Sequence, residues 1–229
     1  MLKIYIWMHE AMIYGYLIRT LLEGCLGFIV CSLINIFSIG FDTSGETMGS
    51  IVSILLLIVL LSLPLFIYIF LKVNRHRLAD HDFHLKYASL YEMLDLKKPY
   101  AIYYNCFFVL RRAFIGVLAV CINEYAFFQI QATMFSSVLM FTYISWVKPF
   151  ETKTLNNLEL FNELCILGVC YTHIMLSDFT NSLEVKSNAG WMNMSLVIFN
   201  LLTNIAVIVC ESAGAAFRKF KRFCAKKTL

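Results

Sequence analysis

Charge is scarce in this chain. Asp, Glu, Lys and Arg together make up 15% of its 229 residues, against roughly 25% in an ordinary soluble domain. Proline and glycine are also few, 3 and 10 residues, which excludes a linker-rich or collagenous chain. No Cys-x-x-Cys pair and no paired histidine spacing occurs, so no zinc site of known pattern is expected. A nucleophile elbow, a phosphate-cradling glycine loop and a catalytic constellation are all missing too. No enzyme, no metal and no cofactor are therefore expected.

What the sequence has instead is apolar side chains, 60% of the total. A soluble domain of this size cannot bury so much, because its surface needs polar groups. The expected fold class is all-α integral membrane, a bundle of about six transmembrane helices with one interfacial helix. Its first partner is the lipid bilayer. A helix crossing the hydrocarbon core takes about 20 mostly apolar residues. Six stretches qualify, at 21–41, 51–71, 101–122, 125–147, 158–176 and 191–210. Their runs are continuous rather than alternating, which excludes lipid-facing strands. Pro64 inside the second span is expected to kink it.

Orientation follows from the basic residues. With both termini cytoplasmic, every Lys and Arg except Lys186 lies at or near the inner side. The opposite loops carry Asp42, Glu46, Glu124, Asp178 and Glu184. This is the positive-inside bias, and it favours an even number of spans. The net charge of +4 is thus spread along one membrane face, and nucleic acid is not an expected partner. The occupied membrane is a plasma membrane or an endomembrane.

The expected organisation has three parts. Residues 1–20 form an N-terminal interfacial helix, with a longer first helix as the equal alternative. Residues 21–210 form the membrane bundle, with a cytoplasmic loop at 73–99. Residues 211–229 form a basic cytoplasmic tail. That tail contains Cys224, a candidate for palmitoylation, although an unmodified cysteine is the plainer reading. The other seven cysteines fall in or beside spans, where cysteine acts as a small apolar residue. Asn193-Met194-Ser195 fits the glycosylation pattern but starts a span, so it is discounted.

In the loop, Tyr87, Leu90, Met93 and Leu94 recur at helical spacing. They predict a short helix over 85–96, lying along the membrane surface or docked under the bundle and ended by Pro99. His76, His81 and His84 lie near Asp80 and Asp82, which reads as a solvated charged loop. Charges inside spans are costly and usually snorkel, pair or line a path. Arg111 and Arg112 lie in the third span. Glu159 and Glu163 stand four residues apart on the fifth helix, with Asn156 on the same face and Asn162 beside it. Arg111, Arg112, Asn156, Glu159, Asn162 and Glu163 are therefore the candidate site. They form either a cation path or a structural charge cluster in which the arginines clamp the acidic helix. Carboxylates and amides supply the oxygen ligands that hard cations take.

Several short patterns follow in a fixed order: Tyr87 to Glu92 (YASLYE), Tyr104-Asn105, Leu110-Arg111-Arg112, Lys148-Pro149-Phe150, and Asn157 to Glu163 (NLELFNE). This stretch, Tyr87 to Asp178, is about two fifths of the chain. It resembles the C-terminal membrane domain of the transient-receptor-potential-like proteins of protists and fungi, where the pattern reads YxxLYE, YN, LRR, KPF and NxxExxNE. The resemblance implies a multi-pass protein that takes part in cation passage or its regulation. The alternative is a non-conducting membrane anchor or a hydrophobic subunit of a larger complex. A homo-oligomer or a larger membrane complex is its expected protein setting. Two features depart from the channel pattern. The loop 177–190 is too short and polar for a pore helix with a filter, and no arginine ladder suggests voltage sensing. The large ectodomain of such family members has no counterpart in these residues.

Overall fold

A computed structural model of the chain describes the backbone except at Met1, Ala79, Asp178, Phe179, Thr228 and Leu229. Side chains are described at 15–78, 80, 83–84, 86–177 and 180–214. The helices are α1 (Leu2–Phe37), α2 (Ser44–Val73), α3 (His81–Tyr87), α4 (Tyr104–Cys121), α5 (Ala126–Val147), α6 (Lys153–Leu176) and α7 (Leu183–Lys227). Among the described residues, six helical segments are long and apolar enough to cross a membrane: Gly15–Phe37, Ser44–Val73, Ala101–Cys121, Ala126–Val147, Lys153–Leu176 and Leu183–Gly214. The chain is an all-α, multi-pass membrane protein. Helices suit that solvent because each satisfies its own backbone.

The chain divides into two compact units, Met1–Asn157 and Leu158–Leu229. In the first, α1, α2, α4 and α5 pack around residues spaced three and four apart, as one helix face requires. Leu22, Cys25, Ile29 and Leu33 come from α1, and Leu60, Pro64, Ile67 and Leu71 from α2. Val109 and Ala113 face them from α4, and Met140 and Ile144 are buried on α5. Lipid tails are as apolar as leucine, so close packing and polar clasps hold such helices together. Gly116 provides the closest approach, since a Cβ there would stand 3.0 Å from Ile29 Cγ2. Asn35 Nδ2 donates to Ser53 Oγ at 2.9 Å, joining α1 to α2. Gln129 Nε2 reaches the carbonyls of Leu118, Ala119 and Ile122 at the end of α4, which ties α5 to α4.

Helix α2 begins with a reciprocal cap. Glu46 N–H donates to Thr43 Oγ1, and Thr43 N–H donates to Glu46 Oε2. It then runs through Pro64 as one helix, and Cys106 Sγ donates to the Pro64 carbonyl at 3.1 Å. In the second unit α6 and α7 are side by side. Phe161 meets Phe199 edge to face at 5.6 Å, and Gly168 lets Leu196 approach.

Helix α1 is continuous from Leu2 to Phe37, which is the longer first helix given above as the equal alternative. Helix α7 continues through the basic tail to Lys227. The side chains of residues 215–229, Cys224 included, and of residues 1–14, His81, Asp82 and Leu85 lie outside the described residues. The short helix expected over 85–96 is displaced. Helix α3 and a 3₁₀ turn occupy His81–Leu90. Met93 then turns into the left-handed region at φ 66° and is 59% exposed, whereas Tyr91 is 2% exposed. Pairing with a distant segment overrides the helical period there. Asp95 N–H donates to the Pro149 carbonyl, Glu151 N–H donates to the Met93 carbonyl, and Leu94 bridges to Phe150.

Candidate functional site

The patterned residues of the first unit converge at one end of it. Helix α5 stops where Lys148 adopts a left-handed conformation, φ 48°, and Pro149 cannot continue the helix. The Lys148 carbonyl accepts from Lys98 Nζ at 2.6 Å. Asn156 fastens the turn that follows. Its Nδ2 donates to the Phe150 and Thr152 carbonyls, each at 2.9 Å, and its Oδ1 accepts from Phe150 N–H at 3.2 Å. From α4, Asn105 Nδ2 donates to the Leu90 carbonyl at 2.7 Å. The Tyr104 ring meets Phe150 edge to face at 4.8 Å. Tyr143 OH donates to the Tyr100 carbonyl at 2.8 Å. Thus Tyr104, Asn105, Phe150 and Asn156 form one fastening between the 88–99 segment, α4 and the 148–156 turn.

Tyr91 is a buried pin on the same segment. Its OH donates to the Leu78 carbonyl at 3.3 Å. Burial pushes its phenol up to about 12 from an ordinary 10. The neutral phenol is therefore favoured in the folded state. The stability it contributes is complete below pH 10 and is lost as the pH rises from about 10 to about 12. Tyr91→Phe should remove that alkaline loss, at a cost of about 1 kcal/mol at neutral pH for the hydrogen bond. Thermal unfolding of both proteins across that pH window checks this. Equal alkaline slopes would contradict it.

Arg112 binds α1. Its Nη1 donates to the Leu22 carbonyl at 3.1 Å and to the Glu23 carbonyl at 2.6 Å. The guanidinium also lies 4.1 Å from the centre of the Phe108 ring, a cation–π distance. Arg111 precedes it on α4, about 100° further round the helix axis. Asn156, expected on the acidic face, is instead engaged with the 150–152 turn.

The remaining candidates lie in the second unit. Asn162 Nδ2 donates to Glu159 Oε2 at 3.0 Å, and Glu163 is buried one turn beyond Glu159. Across the helix pair, Asn162 Oδ1 accepts from Asn200 Nδ2 at 2.9 Å and from Asn204 Nδ2 at 2.7 Å. Asn204 Nδ2 also donates to the Asn200 carbonyl at 2.9 Å. The result is a seam of one carboxylate and three amides within apolar helices. Asn200 was not among the residues expected here. The signal for it is its spacing of four from Asn204, which puts both amides on one helix face. Chemically, this seam can clasp the two helices or present oxygen ligands to a hard cation. No group of three or more metal-binding side chains gathers among the described residues. Comparison with protein-family models, curated proteins and solved structures finds no match to this chain.

Proposed function

We propose that the chain is a multi-pass membrane protein that takes part in cation passage or its regulation, with the α6–α7 seam as its polar line. One observation carries this reading: Glu159, Asn162, Asn200 and Asn204 gather where two mostly apolar span segments meet. Polar groups at membrane depth are expensive, so an ionisable one among amides points to an ion path by default. The resemblance of Tyr87–Asp178 to transient-receptor-potential-like membrane domains supports the same reading. The basic residues support an orientation with both termini cytoplasmic. Two helices cannot enclose water alone, so other helices must complete the wall. A homo-oligomer or a larger membrane complex would supply them.

A second reading, a non-conducting membrane module, is favoured by the direction of the hydrogen bonds. The seam amides engage one another, as they would in a purely structural clasp. Flux separates the two. Purified full-length chain in sealed liposomes should pass a monovalent cation, and Asn162→Leu with Asn204→Leu should cut the flux tenfold or more while circular dichroism stays helical. No flux from helical wild-type protein would leave the non-conducting module.

A further inference from the structure

Where α2 ends, three exposed cations stand within six residues: Lys72, Arg75 and Arg77. Among the described residues, none of the three enters an ion pair or donates a side-chain hydrogen bond. Two of them stand over rings instead. Lys72 Nζ is 5.5 Å from the centre of the Tyr68 ring, and the Arg77 guanidinium is 5.5 Å from that of Phe83. We propose that this turn binds the headgroup of an anionic phospholipid in the adjoining leaflet, with Arg75 and Arg77 holding its phosphate.

Three observations argue for that occupant. The first is charge. Counting both carboxylates that follow in the sequence, Asp80 and Asp82, the turn still carries one net positive charge with its histidines neutral. That complements a phosphate monoanion. A ring face attracts a cation without neutralising it, so the forks of Arg75 and Arg77 keep their donors for phosphate oxygens, a geometry arginine suits well. The second is order. Arg75–Arg77 is a 3₁₀ turn. Before it, Asn74 Nδ2 and Asn74 N–H both donate to the Phe70 carbonyl, at 2.9 and 3.0 Å. After it, Leu78 is buried and its carbonyl accepts from Tyr91 OH. The backbone that carries the cations is thus fixed at both ends, which lowers the cost of binding. The third is depth. The apolar run of α2 ends at Leu71, so the cations that follow it lie at headgroup level whichever way the chain is threaded. Tyr68 and Tyr103, with ring centres 5.1 Å apart, mark the same level, where tyrosine is favoured. Basic clusters directly after a span attract anionic lipid. A topology signal needs only the number of charges, not a fixed turn or a guanidinium.

The site is independent of the α6–α7 seam, and its test does not measure flux. Full-length protein in detergent is titrated with phosphatidylglycerol and, separately, phosphatidylcholine, and bound lipid is counted by native mass spectrometry. Phosphatidylglycerol should bind at least tenfold more tightly. Arg75→Gln with Arg77→Gln should reduce that preference below threefold. Arg75→Lys with Arg77→Lys keeps the charge without the fork and should also weaken phosphatidylglycerol at least threefold. Removing the same number of charges from the tail, with Lys219→Gln and Lys221→Gln, should leave the preference intact. Glycerol phosphate, which has no chains, should not displace the lipid. Equal binding of the two lipids would overturn the proposal. So would a preference that survives the Arg75 and Arg77 glutamine changes in protein that remains helical and monodisperse. Full retention by the lysine pair, loss of the preference with the tail charges, or displacement by glycerol phosphate would overturn it as well.

Discussion

Asn156→Ala should release two distant segments at once, 93–98 and 148–156. The side chain makes three hydrogen bonds, two of them to the backbone of Phe150. Its loss leaves the Phe150 N–H and carbonyl without that partner. A buried group left unpaired costs about 1–3 kcal/mol, and Phe150 is only partly buried, so about 2 kcal/mol is expected for the two. The segment 93–98 should respond because its backbone bonds run to Pro149 and Glu151, on either side of Phe150. Hydrogen exchange read by mass spectrometry should show both segments losing protection together, with α2 unchanged. Asn156→Asp keeps the oxygen that accepts from Phe150 N–H and should lose less. A change confined to 150–157 would contradict the idea of one fastening.

The second large effect is expected at Arg112. Arg112→Ala removes two charge-assisted bonds to α1 and the contact with Phe108. Hydrogen bonds to charged groups contribute about 1.5–3 kcal/mol, and the Leu22 and Glu23 carbonyls keep their helical partners. A loss of about 2–3 kcal/mol is therefore expected. Arg112→Lys should recover less than half of it, because an ammonium has neither the planar fork nor the stacking face. Thermal unfolding in detergent ranks the three proteins. Full recovery by lysine would mean that charge alone matters at this position. No loss in Arg112→Ala would remove Arg112 as the link between α1 and α4.

The spans were legible in the sequence because lipid asks one simple question of a helix, whether about 20 residues in a row are apolar. The run from Ser53 to Phe70 answers it without ambiguity. Fine placement was less legible. The helical period at Tyr87, Leu90, Met93 and Leu94 was real, yet the chain breaks at Met93. Backbone pairing to Pro149 and Glu151 outweighs a local periodicity worth little alone, and no sequence rule connects residues more than fifty positions apart. Arg112 stood out as a charge inside a span and Asn156 as an amide on the face of Glu159 and Glu163, but their partners are main-chain groups. Charge pairing draws attention to glutamates, whereas every residue offers a carbonyl. At the α6–α7 seam, Asn162 was visible as a candidate, but its partners on α7 were not. Their meeting depends on the register between two helices, which the sequence does not print.

Underlying all of this is a threading in which six helices cross a bilayer and the basic loops share one side. Site-specific tags in sealed vesicles test it most directly, with one tag at a time at Gly45, Lys97, Glu124, Glu151 or Ser182. The threading predicts that Lys97 and Glu151 react from one compartment, and that Gly45, Glu124 and Ser182 react only from the other. Lys97 and Gly45 labelled from the same side, or Glu151 and Ser182 labelled together, would contradict it.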